Sequence, residues 1–176
     1  MLLGKRKDSG LYGLPGGWLE LYEEWEECAA RELKEEANLS LEKSRFSHID
    51  TFNCISLENN NYHSISLIMY AEIQSKEIKS IKNLEPKKCE KWEWMSIDEM
   101  REKINELFYP LKQFLLRYDN IRGTDDLKKL IRKSFTFTFT PKYKIKNQEL
   151  EFTESPTYIS TIEDDLEFES KESLMI

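Results

Sequence analysis

Apolar and polar residues follow different periods along the chain, and these periods predict the order of its strands and helices. Met1 to Arg6 is typical of the end of a β-strand, and Phe46 to Leu57 and Tyr62 to Ile73 are two longer strand-like runs. The run 62–73 alternates in part, which indicates that one of its faces is more buried than the other. Glu58 to Asn61 joins the two runs as in a β-hairpin, and Lys91 to Met95 predicts a further short strand.

Two segments have the composition of helices. Glu24 to Ala37 contains neither glycine nor proline, and Asn38 follows it, a residue that tolerates the left-handed conformation in which many helices end. Ser96 and Glu99 form a capping box at the start of a second helix, in which Pro110 predicts a kink. The order of these elements predicts an α/β fold in which a mixed β-sheet is sandwiched between helices.

The pattern changes after about Arg122. Ser134 to Thr140 alternates like a strand, but no obvious partner strand lies near it in the sequence. Residues 147–176 are acidic, rich in serine and threonine, and aperiodic, which is typical of disorder. We therefore predict one domain over residues 1–122 and a largely disordered C-terminal extension over residues 123–176.

Composition narrows the class of protein. The chain has 176 residues and a formal net charge of −7, which argues against a general nucleic-acid binder because such proteins rely on a basic surface. No apolar run approaches the roughly 20 residues that a membrane span requires, and the N-terminus does not resemble a signal peptide. Three widely spaced cysteines suit a reducing compartment. We therefore expect no membrane association, and a location in the cytosol or in both cytosol and nucleus.

Three carboxylates share one face of the first predicted helix. On a helix that advances about 100° per residue, Glu35 lies about 300° and Glu36 about 400° around the axis from Glu32. Like charges at these spacings destabilise an isolated helix, which predicts a compensating cation. A hard divalent ion with oxygen ligands, such as Mg²⁺, is the natural candidate, and Mn²⁺ is the alternative ion.

The opposite side of the same helix is apolar, since Trp25, Ala29 and Leu33 recur at four-residue steps. Small residues there predict that the helix packs closely on the sheet and aims its carboxylates at the loop 13–17. Glycines in that loop allow the backbone to approach a ligand without interference from a Cβ atom.

An acidic run such as Glu23 to Glu27 is, taken alone, more often a solvated face than a ligand set. The functional interpretation is favoured by a whole pattern in one register. That pattern is Gly17, five residues, Glu23, seven residues, Arg31-Glu32-Leu33, one residue, Glu35-Glu36, one residue and Asn38-Leu39. It resembles the signature of the Nudix (MutT-like) hydrolases, with Asn38 in place of the usual glycine.

The resemblance covers roughly residues 2–117. Within the family, the chain is similar to one subgroup, the nucleotide triphosphate diphosphatases. It is carried by Leu2 to Lys7, Leu14 to Gly17, Trp25 to Glu32, Asn61 to His63 and Glu85 to Trp94. It implies the Nudix fold and the hydrolysis of modified purine nucleoside triphosphates to a monophosphate and pyrophosphate. It also implies a small-molecule nucleotide substrate and a homodimer.

The resemblance also implies roles for individual residues. Glu32 and Glu36 match the principal metal ligands, and Glu35 matches a further ligand or the group that assists the attacking water. Glu23 and Arg31 match an ion pair that orients the helix. Gly17, with Gly16, matches a donor of a backbone carbonyl to the metal. The residues matched to substrate binding are Arg6, Leu14, Gly16, Gly17, Trp18 and Ser66.

Some residues depart from the subgroup or leave two interpretations open. Trp18 stands where a histidine is usual, and it either stacks on a purine or is a core aromatic residue. Ser66 stands where threonine is usual, and Gly13 matches the plant-like members. Glu90 is either a further metal ligand or catalytic base, or a surface charge. His63 is interpreted as a packed or solvent-facing residue.

Two classes of function remain open at this point. Every matched carboxylate is present, which favours an active hydrolase of a modified purine nucleotide, a dinucleotide or an isoprenyl diphosphate. Family members have a strand upstream of the one that opens this chain at Met1, so we expect either a natural protein that starts earlier or a truncated, inactive form. The missing strand and the long extension support the alternative, a non-catalytic module that uses the Nudix fold or the acidic tail to bind a partner.

Overall fold

A computed structural model describes the backbone of residues 1–56, 62–134, 143–146, 149–152 and 172–175. Side chains are described for residues 1–55 and 63–131. The predicted hairpin loop 58–61, most of the predicted strand 134–140 and much of the predicted disordered extension lie outside the described residues.

The strands follow the sequence pattern closely. Their bounds are β1 (Leu2–Arg6), β2 (Tyr12–Gly13), β3 (Ser47–Ser56), β4 (Tyr62–Ile73), β5 (Cys89–Trp94), β6 (Tyr143–Lys146), β7 (Glu149–Phe152) and β8 (Glu172–Met175). They form three sheets with the strand orders β2-β1-β5, β3-β4-β8 and β6-β7. Every ladder is antiparallel, and a parallel bridge joins Tyr12 to Leu107.

The helices are α1 (Trp25–Ala37), α2 (Ser75–Ile78), α3 (Ile97–Glu102), α4 (Tyr109–Arg117) and α5 (Thr124–Ser134), with short 3₁₀ turns at Lys43–Arg45 and Ile104–Glu106. Asn38 ends α1 in the left-handed conformation (φ 57°, ψ 27°), as its side chain permits. The predicted capping box is confirmed, because Ser96 Oγ accepts from the backbone N–H of Glu99 and the Glu99 carboxylate accepts from that of Ser96.

The prediction of one continuous second helix is wrong. The segment is broken into α3 and α4, which are separated by the 3₁₀ turn, and Pro110 lies in the first turn of α4. Proline is favoured there because the first turn has no helical acceptor for its missing N–H. Pro110 therefore begins a new helix where the sequence predicted a kink.

The two main sheets lie between helices on both faces. Successive residues of a strand point to opposite faces, so Leu2 and Leu3 of β1 enter different cores. The core under α1 buries Leu2, Ala29, Leu33, Met69 and Ala71. The core under α3, α4 and α5 buries Leu3, Ile68, Met100, Phe114 and Leu127. The α/β sandwich predicted from the sequence is confirmed.

Part of the C-terminal extension is ordered into named elements. Helix α5 lies beyond the predicted domain boundary at residue 122, and its Leu127 is buried in the second core. Strand β8 pairs with the end of β4, with Met175 opposite Tyr70 and Glu172 opposite Ile73. The division into residues 1–122 and 123–176 remains a prediction. Among the described residues, no helix is long and apolar enough to cross a membrane.

A glycine in β1 determines how tightly β5 packs on it. A Cβ atom at Gly4 would lie 2.6 Å from the ring of Trp92 and 2.9 Å from Cys89 Sγ. We expect Gly4→Ala to cost about 1–3 kcal/mol of unfolding free energy, since the ring and strand must move apart. Thermal and denaturant unfolding measure this. The matched control is Gly123→Ala, where nothing lies within 4 Å of the new atom. Equal stabilities of the two variants would contradict the packing argument.

Candidate functional site

Helix α1 brings two of the predicted carboxylates against the glycine loop. The backbone N–H of Gly16 donates to Glu36 Oε2 at 3.1 Å. A Cβ atom at Gly17 would lie only 2.2 Å from Glu32 Oε1, so the Glu32 carboxylate occupies the space that any other residue at position 17 would fill. The loop and the helix therefore form one surface, with two acidic side chains held close to the backbone.

The position of α1 follows from its small buried side. Ala29, Leu33 and Ala37 are buried, whereas Trp25 is 49 % exposed and lies beside His48, with their ring centroids 5.6 Å apart. The sequence assigned Trp25 to the buried side, and this is wrong because the helix begins at Trp25, where it extends past the core. At the other end, Trp92 Nε1 donates to the backbone carbonyl of Glu36 at 3.2 Å and fixes the last turn.

Arg31 connects the helix to the loop. Its guanidinium donates two hydrogen bonds to Glu23, from Nε to Oε1 at 2.7 Å and from Nη2 to Oε2 at 2.9 Å. Nη1 donates to Glu32 Oε1 at 2.7 Å and lies 3.5 Å from Glu35 Oε2, while Nη2 also donates to the Trp18 carbonyl at 3.0 Å. Such a planar fork suits bidentate carboxylate binding. One cation thus holds the loop at two points and orients Glu32.

Burial raises the pKa of the Glu36 carboxyl to about 7. The hydrogen bond from Gly16 opposes this shift, while the negative charges of Glu32 and Glu85 add to it and Lys88 reduces it. A buried carboxylate surrounded by other carboxylates favours anything that supplies positive charge, whether a proton or a metal ion.

Glu85 is a site residue that the sequence analysis missed. Its Oε1 accepts from Lys88 Nζ at 2.7 Å, but its Oε2 is buried and has no hydrogen-bond partner among the described residues. Its charge acts on Glu36 across 49 positions of sequence, which no local pattern reveals. The available signal was an acidic residue directly before Pro86, at the entrance to a strand that pairs with β1.

The remaining catalytic and phosphate-binding candidates are placed as follows. The side chain of Glu35 is 57 % exposed and lies at the rim of the site, where Arg31 is its nearest cation. Arg6, at the end of β1, binds both oxygens of Asp8 at 3.1 and 2.6 Å, and its guanidinium lies 5.1 Å from the centre of the Phe108 ring. Any phosphate bound by Arg6 would therefore compete with Asp8.

Two other candidates for substrate binding lie at the core under α3 to α5. Leu14 is partly buried against the core under α3 to α5. Ser66 pairs in register with Phe52 of that core, and its Oγ accepts from Cys54 Sγ at 3.4 Å. Since paired residues share a face of a sheet, Ser66 lies on the face opposite α1. The structure does not bring Ser66 to Glu32 and Glu36.

The open interpretations are partly resolved. The Trp18 side chain is 77 % exposed, so the alternative of a core aromatic residue is wrong. His63 is exposed and hydrogen-bonded to Asn53, as the solvent-facing interpretation expects. Glu90 is exposed on β5, whereas the buried carboxylate oxygen in this region belongs to Glu85.

The donor set fits a hard divalent cation. Carboxylates crowd at one loop, burial raises the pKa of Glu36, and Glu85 has a buried oxygen without a hydrogen-bond partner among the described residues. In the described part of the chain, however, no three acidic, cysteine or histidine side chains already converge as a metal-ligand group. The Arg31 guanidinium lies between Glu32 and Glu35 and donates hydrogen bonds to both carboxylates. A cation would therefore compete with this guanidinium for Glu32.

Comparison with known families agrees with this arrangement. A sequence model of the NUDIX domain matches residues 1–117, which is more than half of the chain. The matched region includes the glycine loop, α1, Glu85 and both main sheets except β8.

The Glu23–Arg31 pair predicts a specific dependence of stability on pH. The hydrogen bonds from Arg31 hold the pKa of Glu23 at about 2, below its ordinary value of 4.5. Because the folded pKa is the lower one, the pair stabilises the protein fully above pH 4.5 and loses this contribution as the pH falls towards 2. We expect the gap in melting temperature between wild type and Glu23→Gln to close over that window.

The matched control for this test is Glu26→Gln, which removes the same charge three residues further along the chain, in the first turn of α1, without breaking an ion pair that the structure describes. The melting temperature of Glu26→Gln should differ little from that of wild type at every pH. A Glu23→Gln gap that stays constant from neutral pH to pH 2 would contradict the assignment.

Proposed function

The chain belongs to the Nudix hydrolase family, and on that premise we propose that it hydrolyses modified purine nucleoside triphosphates in a Mg²⁺-dependent reaction. Family membership itself indicates a hydrolase of nucleoside-diphosphate-linked substrates. In the proposed reaction, water adds across the bond between the α and β phosphates. The products are a nucleoside monophosphate and pyrophosphate.

One observation carries this proposal: Glu32 and Glu36 lie directly against the Gly16–Gly17 backbone, with no side chain between them and the loop. Glycine at position 17 leaves the Glu32 carboxylate in this place, because a methyl group there would displace it. An acidic helix that merely faced solvent would not need such a close approach.

Glu32 and Glu36 would hold the ion, with Glu35 and the Gly17 carbonyl as further ligands. Such an ion would supply Lewis-acid chemistry that activates water and offsets the charge on the leaving pyrophosphate. The same ligands would also bind Mn²⁺.

The chain's own residues perform the positioning. Arg31 holds the Trp18 carbonyl and Glu23, which keeps the glycine loop in register with α1. The N–H of Gly16 fixes one oxygen of Glu36. Glu85 contributes negative charge beside Glu36, whose pKa it helps to raise. Arg6 is the proposed phosphate contact, in exchange for Asp8.

The substrate class rests on the subgroup resemblance of Leu14 to Gly17 and Glu85 to Trp94. The exposed ring of Trp18 supports this substrate class. Trp18 directly follows Gly17, which lies against Glu32, and its side chain is not packed in a core. Aromatic rings stack on nucleobases and tolerate modified bases. The location in the cytosol, or in cytosol and nucleus, and the homodimer remain predictions of the same kind.

A non-catalytic binding module is the second candidate. It is favoured by the ion pair between Arg31 and Glu32, which gives this carboxylate a cationic partner without a metal ion. Catalysis and binding make opposite predictions for purified protein with nucleotides and magnesium.

We expect Mg²⁺-dependent release of pyrophosphate from oxidised and thio-substituted guanine triphosphates, faster than from a dinucleotide or an unmodified triphosphate. Glu36→Gln should lower kcat by at least about 100-fold, because the amide cannot replace a carboxylate at a metal site. A coupled phosphate assay measures both, with Glu26→Gln as the matched control. Turnover that is absent from folded wild-type protein across the panel would favour the binding module instead.

Trp18→Ala tests the stacking proposal. Removing the ring should raise KM for purine triphosphates by about 5- to 100-fold, since one base stack is worth about 1–3 kcal/mol. Hydrolysis of inorganic tripolyphosphate, which has no base, should be unchanged. Leu116→Ala, at an exposed leucine of α4, serves as the control for loss of an exposed apolar side chain. An unaltered KM and an unaltered ranking of substrates in Trp18→Ala would refute the stacking role.

A further inference from the structure

The exposed apolar side chains of this protein concentrate in one short segment. Leu21 is 84 % exposed and Tyr22 is 95 % exposed, and Leu19 and Trp25 are each about half exposed. We call these four residues the apolar loop surface. Exposed apolar residues grouped in this way commonly mark interaction sites on protein surfaces.

The segment that carries this surface cannot fold back to bury it. The N–H of Glu23 donates to the Glu20 carbonyl at 3.1 Å, and Glu23 Oε2 accepts from the N–H of Glu20 at 3.0 Å. These bonds close a tight turn with Leu21 and Tyr22 at its tip. Arg31 ties the turn to α1 through Glu23, as described above. The two side chains at the tip are therefore presented to solvent by a rigid frame.

Tyr22 has an unfavourable backbone conformation in that turn. Its φ is +69°, a value that glycine or asparagine adopts readily and an aromatic residue does not. Strain of this kind is found most often at functional positions. The ring makes no contact within the domain that offsets the strain, because almost all of its surface is exposed.

The charges around the surface specify what can cover it. Three neighbouring carboxylates have a cationic partner, Glu23 in Arg31 and both Glu24 and Glu27 in Lys43. Glu20 and Glu26 have no side-chain ion pair among the described residues. Unpaired negative charges beside apolar groups favour a partner that has positive charges around an apolar pocket.

We propose that the apolar loop surface is a docking site for a protein partner with an apolar pocket rimmed by lysine or arginine. Tyr22 and Leu21 enter the pocket, and Glu20 and Glu26 pair with the rim. A second copy of this chain would bring the same carboxylates together, and an anionic membrane would repel them. A single nucleobase is too small to cover four large side chains. The proposal is independent of the hydrolytic activity.

The test uses the full chain and a synthetic amphipathic helical peptide of leucine and lysine as the probe. Titration calorimetry at low and high salt measures its dissociation constant. We expect Leu21→Ser and Tyr22→Gly each to weaken binding by about tenfold or more, as at the anchors of other interfaces. Tyr22→Gly should at the same time raise the melting temperature, since glycine removes the strain. Glu20→Gln with Glu26→Gln should flatten the salt dependence.

Two controls separate the alternatives. Leu116→Ser removes an exposed leucine from α4 and should leave peptide binding unchanged, and a peptide of leucine and glutamate should not bind. The proposal is overturned if Leu116→Ser weakens binding as much as Leu21→Ser, or if the glutamate peptide binds equally well. It is also overturned if the loop variants abolish a self-association seen by light scattering, or a binding to phosphatidylcholine vesicles, in place of peptide binding.

Discussion

The architecture of the site depends on one guanidinium. Arg31 lies among Glu23, Glu32 and Glu35, and it also binds the Trp18 carbonyl. Without it, the carboxylates of an already acidic chain would repel one another. Removing one partner of such a partly buried network costs more than the pair contributes, because the remaining charges stay desolvated. The same side chain holds the loop that displays Leu21 and Tyr22, so the carboxylate site and the apolar loop surface share one anchor.

Small residues set the distances that make this anchor effective. Ala29 and Ala37 let α1 approach the sheet, and Gly17 lets Glu32 reach the loop backbone. The same closeness buries Glu36, whose raised pKa is a consequence of packing as much as of neighbouring charge. Packing and electrostatics are therefore coupled, because enlarging any of these residues would move the helix outward and expose Glu36 to water.

Local patterns predicted what local interactions determine. The bounds of β4 and the end of α1 at Asn38 agree with the structure, because alternation and a left-handed cap are properties of neighbouring residues. Pro110 was misjudged, since the choice between a kink and a new helix depends on the preceding 3₁₀ turn. Glu85 could not be found, because its relation to Glu36 exists only after β5 pairs with β1. The register of acidic residues placed Glu32, Glu35 and Glu36 on the loop side, but it did not show that Glu35 would stay exposed or that Arg31 would hold Glu32.

The competition for Glu32 and Glu36 gives the site its chemical character. Burial and neighbouring carboxylates raise the proton affinity of Glu36, and the same negative field raises its affinity for any cation. Carboxylates must lose their protons to bind a metal, so metal binding and proton release are linked there. Glu32 has a cationic partner in Arg31 and Glu85 has one in Lys88. Of these three carboxylates, Glu36 is the one without an ion pair among the described residues, so the need for positive charge is greatest at Glu36.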